Sequence, residues 1–119
     1  MDSIQIVLVD MPQMLHDIVR EKIEGAPGMR VAVDLADAEQ LDGVVTRAHA
    51  DVLIAGVEAL DAGHVDRLLA ESPRLTVLTI DREGRETVLY ELRPHRRRLG
   101  EISPERLLDV VRRAGRVEA

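Results

Sequence analysis

The densest chemistry in the chain is cationic. Arg93-Pro94-His95-Arg96-Arg97-Arg98 places four guanidinium groups and an imidazole within six residues. Guanidinium forks hold carboxylates and phosphates through paired, charge-assisted hydrogen bonds. The run is therefore a candidate surface for an acidic protein partner, or for phosphate groups on a nucleotide or nucleic acid. The alternative is a solvated loop or edge strand whose like charges discourage edge pairing. Catalytic patterns are missing. His16, His49, His64 and His95 are dispersed, and no HExxH pair sets two of them on one helix face. No GxxxxGK or GxGxxG loop cradles a phosphate, and no nucleophile elbow occurs. The chain has no cysteine, which excludes disulfides, thiol chemistry and Cys-ligated metals. Binding rather than catalysis is expected, with no cofactor and no metal.

Composition narrows the partner. The 119 residues carry a net charge of -6, unevenly spread. Residues 1–80 hold 14 acids against 6 bases, and residues 81–119 hold 8 acids against 10 bases. An acidic whole counts against a general nucleic-acid binder. Tyr90 is the single aromatic residue, so stacking on bases is confined to one position. A protein partner, or a second copy whose acidic surface receives the basic run, fits better. No apolar stretch approaches the roughly 20 residues of a membrane span, and no signal peptide is visible. A cytoplasmic protein of one domain, residues 1–119, is the expectation, with no membrane partner.

The elements that must position these groups read as strands alternating with helices. Ala50-Asp51-Val52-Leu53-Ile54-Ala55-Gly56 is a short apolar run closed by glycine, which fits a strand buried on both faces. Ile4 to Val9 is a similar strand ending in Asp10. Pro12 then opens a helix with Met14, Leu15, Ile18, Val19 and Ile23 at helical spacing. Arg30 to Leu35 alternates and reads as a strand near an edge. Asp37 and Gln40 suggest a capping box ahead of Leu41, Val44, Val45 and Ala48. Asp61 is a candidate cap for a helix carrying Val65, Leu68 and Leu69. Leu75 to Ile80 is a fourth strand, and Ser103-Pro104 opens the last helix. Between them, residues 81–86 resemble a turn. Thr87-Val88-Leu89-Tyr90 fits either a hairpin strand beside the fourth strand or a short helix; its β-branched content and the charged glycine turn favour the hairpin. The whole predicts a mostly parallel sheet covered by helices on both faces, with any site at the carboxyl ends of the strands.

The order of elements and several strings resemble the receiver domain of bacterial response regulators, a CheY-like five-stranded α/β/α fold. The strings are Ile6-Val-Leu-Val-Asp10, Asp51-Val-Leu-Ile, Val77-Leu-Thr79 and Ser103-Pro-Glu-Arg-Leu-Leu. The family's chemistry, as the resemblance implies, uses two acids after the first strand to hold Mg²⁺ and an aspartate ending the third strand to accept phosphoryl. A Thr or Ser ends the fourth strand and a lysine ends the fifth. Here Asp10 matches one acid and Thr79 the hydroxyl. The second acid is Met11, the phosphoacceptor position is Gly56, and the lysine position falls near Gly100. The one lysine of the chain is Lys22, in the first helix. Glu58 is the nearest acid to the third strand's end and would need that end to shift by two residues.

The resemblance thus implies a degenerate pseudo-receiver. Phosphoryl transfer rests on stabilising charge around the transferred group, and Mg²⁺ is held through carboxylates and phosphate oxygens. Glycine has no nucleophile, so a module working without phosphorylation, through protein–protein contacts at Arg93, His95, Arg96, Arg97 and Arg98, is the leading expectation. A small-ligand sensor using the vestigial pocket around Asp10, Met11, Gly56, Thr79 and Gly100 is the alternative, and a homo-oligomeric scaffold subunit is a third.

Overall fold

The computed structural model describes residues 3–91 and 96–115. In chain order the elements are β1 (Ile4–Val9), α1 (Gln13–Glu24), β2 (Met29–Leu35), α2 (Leu41–Ala48), β3 (Val52–Gly56), α3 (Ala62–Glu71), β4 (Thr76–Ile80), β5 (Thr87–Tyr90), β6 (Arg96–Gly100) and α4 (Pro104–Gly115). One sheet joins the strands in the order β2-β1-β3-β4-β5-β6. The first four run parallel; β5 is antiparallel to both β4 and β6.

Alternation along the central strands builds two cores. Ile6 and Leu8 on β1, Val52 and Ile54 on β3, and Leu78 and Ile80 on β4 join Val19 and Ile23 of α1 and Leu107 and Val111 of α4. Val7, Val9, Leu53, Ala55 and Val77 face the other way, against Leu41, Val44 and Val45 of α2 and Val65, Leu68 and Leu69 of α3. Every residue of β3 is buried, because a strand between two helical layers has no solvent face. The expected buried strand is thus the middle of the sheet.

Residues 81–90 form the hairpin that the β-branched content favoured. Gly84, at φ 73°, occupies the left-handed region, and its amide donates to the Asp81 carbonyl at 3.1 Å. The Asp81 carboxylate accepts from the Arg85 amide at 2.8 Å. This turn sends β5 back beside β4. Among the described residues the sheet therefore has six strands rather than the five that the resemblance implies: β5 stands where a crossover helix was the other reading, and β6 runs in the same direction as β4, one strand further out.

Two local expectations are corrected. Asp37 does not cap α2. Its carboxylate accepts from the Glu39 amide two residues on, a local Asx turn, so the helix starts only at Leu41, with no side-chain cap from Gln40. On α1, Met14 is 81% exposed and Ile18 42%; the core face follows the four-residue stripe Leu15, Val19 and Ile23, and these two lie one step round the helix. Asp61 and Ser103 do cap their helices, accepting from the His64 and Arg106 amides at 2.8 and 3.1 Å.

Candidate functional site

The carboxyl ends of β1, β3 and β4 meet the first turn of α1 around a hollow of about 410 Å³. The sheet order reverses there, between β1, whose connection leads outward to β2, and β3 on its other side. Strand ends at such a reversal leave a crevice because successive helices depart to opposite faces. Asp10, Met11, Pro12, Gln13 and Met14 form one wall; Gly56, Val57 and Glu58 form another; Ile80 and Arg82 close it.

Asp10 turns the chain. Its φ of 46° is left-handed, a region that Asp and Asn enter more readily than other side chains. Its amide still pairs with the Leu35 carbonyl at 3.0 Å, so β1 ends in register and then bends sharply toward α1. The bend carries the Asp10 carbonyl oxygen onto Gly56. A Cβ built on Gly56 would lie well inside van der Waals contact of that oxygen, 3.3 Å from the Asp10 carbonyl carbon and 3.9 Å from its Oδ2. Glycine at this position is therefore a steric requirement. The volume a side chain would need is filled by main chain.

The polar rim is partly self-compensated. Arg82 donates to Glu58 across the hollow at 2.8 Å. Asp10 is near enough to add to the stabilisation of the charged Arg82, after the larger effect of Glu58, yet its own carboxylate makes no hydrogen bond or ion pair among the described residues.

Of the five pocket residues expected from sequence, the structure brings together Asp10, Met11 and Gly56. Thr79 and Gly100 do not line the hollow. On β4, Ile80 pairs with Gly56 and lines it, whereas Thr79 pairs with Ala55. Thr79 is one residue from Ile80 and shares the side of Val77, toward α2 and α3. Gly100 pairs with Thr87, which pairs with Ile80. The inserted β5 thus sets Gly100 two strand spacings from β4, about 10 Å. Lys22 lies in the last turn of α1, about 13 Å along the helix axis from the hollow, and binds Glu105 of α4 at 3.1 Å. Glu105 is correspondingly held below the usual carboxylate range, by its own backbone amide and then by Lys22.

Arg96, Arg97 and Arg98 lie on β6, opposite Tyr90, Leu89 and Val88 in register. Arg93 and His95 fall outside the described residues. Among the described residues, β6 pairs with β5 alone and ends the sheet.

A fold with a central parallel sheet in the order 2-1-3-4 and a crevice at its strand ends has close counterparts among solved structures. The response regulator domain of Thermotoga maritima CheB superposes with a TM-score of 0.66 over 98% of this chain and 99% of that one, at 18% identity. This is a receiver fold. The Salmonella typhimurium RcsB response regulator, described in connection with DNA interaction, superposes with a TM-score of 0.58 at 15% identity. There the match covers 68% of this chain and 44% of that one, so the receiver-like chain spans less than half of RcsB. No family model and no curated protein sequence matches.

Sequence reasoning missed Pro12, Gln13, Met14, Val57, Ile80 and Arg82 as lining residues. All of them lie at or just after the carboxyl ends of β1, β3 and β4. The rule that ligands meet the loops beyond the strand ends would have found them, had it been applied to the loops instead of to the family's positions.

Proposed function

We propose that the chain is a receiver-like signalling module that works without phosphorylation, through protein–protein contacts, and that it is not an enzyme. The observation that carries this reading is the Asp10 carbonyl lying where a side chain at Gly56 would begin. A receiver needs a carboxylate nucleophile at the end of its third strand. Here the nucleophile is missing and its space is filled. Glu58, the nearest acid, is paired with Arg82, and the family's lysine position ends a strand that β5 holds away from the crevice. The charge stabilisation that phosphoryl transfer requires has no source in these residues.

The test is incubation with a small phosphodonor such as acetyl phosphate and Mg²⁺, followed by intact-mass measurement. The expected result is no adduct. A stoichiometric, acid-labile phosphoryl group would overturn the reading. The partner is sought through the arginines of β6: affinity capture from native cytoplasm should recover a protein that an Arg96/Arg97/Arg98→Ala variant loses. Recovery of the chain's own copies alone would favour a homo-oligomeric scaffold.

A further inference from the structure

The hollow at the strand ends carries more than a lost reaction. Its walls are mostly apolar: Met11, Pro12, Met14, Val57 and Ile80. Two of these are unusually open for their type, Met14 at 81% and Val57 at 46% exposure. Exposed methionine is a soft, adaptable surface that moulds to apolar ligands. A volume of about 410 Å³ falls in the lower part of the range that holds small organic molecules. The charged rim holds Asp10, Glu58 and Arg82, and Arg82 donates to Glu58. Two carboxylates against one guanidinium leave the rim net negative, and Asp10 is the carboxylate that makes no hydrogen bond or ion pair among the described residues.

We propose that this hollow binds a small, free amphipathic amine, its primary ammonium on Asp10 and its apolar body along Met11, Met14, Val57 and Ile80. The residues select against other ligand classes. An anion would meet two carboxylates, Asp10 and Glu58, against the one guanidinium of Arg82. A hard metal ion needs several oxygen ligands, and no group of three His, Cys, Asp or Glu side chains among the described residues could hold one. A quaternary ammonium is best held by an aromatic cage, and no aromatic side chain lines the hollow. A primary ammonium needs only one carboxylate to accept its hydrogen bonds and an apolar wall for its stem. The proposal goes beyond the interaction-module reading and is independent of it.

The test uses the full chain labelled with methyl-13C methionine, titrated with hexylamine at neutral pH. Met11 and Met14 methyl signals should shift and saturate in the millimolar range, while Met29, buried at the start of β2, should not move. Hexanol has the same apolar body without the charge, and it should bind about tenfold more weakly. Hexanoate should not bind. Asp10→Asn keeps a residue that tolerates the left-handed backbone and should lose about tenfold in hexylamine affinity. Met14→Gln changes a side chain in open solvent, so it should fold normally and also weaken binding. Signals that stay unmoved up to tens of millimolar would overturn the proposal. So would equal binding of hexanol and hexylamine, or equal affinity in both variants. Tighter binding of an Nα-acetyl-lysine amide than of hexylamine would replace the free amine with a protein lysine, and so overturn it as well. Failure here would leave the phosphodonor result standing, and a phosphoryl adduct would not explain amine binding.

Discussion

At Gly56 a single methyl group decides much. The backbone oxygen of Asp10 cannot yield as a flexible side chain would, because Asp10 is tied to β2 through its amide. Gly56→Ala should therefore destabilise the fold by about 1–3 kcal/mol, read as a lower urea midpoint at unchanged slope. Gly56→Asp should do at least as much and still give no adduct with acetyl phosphate. Thr87 points the other way. It is fully buried, and its hydroxyl has no hydrogen-bond partner among the described residues. A buried, unsatisfied hydroxyl is a net loss, and removing it without changing the shape recovers that loss. Thr87→Val should raise stability by about 1 kcal/mol in the same urea assay; a lower midpoint would mean that the hydroxyl is satisfied in solution. Gly56 and the single lysine, Lys22, were legible in the sequence as residue types. The reason glycine is required was not, since it depends on a φ value at Asp10, 46 residues away in sequence.

Elements are held to one another by a few polar contacts between helices and strands. His16 of α1 reaches Asp34 of β2, with Nε2 2.6 Å from Oδ2 and Nδ1 3.1 Å from Asp17 Oδ1. Arg20 donates to the same Asp34 oxygen at 2.7 Å. Hydrogen bonding to Asp17 and then to Asp34 raises the His16 pKa above its ordinary 6.5. A raised folded value means that the charged imidazole stabilises the fold fully below the unfolded pKa. That contribution is lost as pH rises through the folded one. The difference in urea midpoint between the native chain and His16→Gln should be largest below pH 6.5 and shrink as the solution becomes alkaline. A difference independent of pH would assign the contact to packing alone.

Strand and helix types were legible from apolar period, because β3 is an uninterrupted apolar run, β1 is broken only by Gln5 and β4 only by its threonines, and each helix keeps a buried stripe. Boundaries were less so where a side chain bonds locally. Asp37 has the residue type of a cap and uses it on a turn. The hairpin was legible in its glycine turn, but its effect on strand order was not. Pairing partners are set by three-dimensional neighbours, and these cannot be read from Thr87–Tyr90 alone.

Across the whole molecule, charge is divided as the topology divides it. The acidic first eighty residues build β1 to β4 with their helices, and the net-basic remainder builds the antiparallel end and α4. Capture of a partner through β6 should therefore weaken as ionic strength rises past the point where the screening length falls to about 8 Å; an interaction indifferent to salt would belong to another face. No helix among the described residues is long and apolar enough to cross a membrane.

The antiparallel insertion also bears on how quickly the chain finds its fold. A parallel pair such as β1 and β3 must wait for more than forty intervening residues to be ordered. The β4–β5 pair closes across the six residues of one turn, and such hairpins form in about 1–10 μs. Exchanging a crossover for a meander lowers the mean sequence separation of contacts, which speeds folding at a given stability. The end of the sheet that carries the arginines is thus able to assemble locally, before the parallel core has committed. Mutations in the 81–86 turn should slow folding, and mutations in β2 should chiefly speed unfolding.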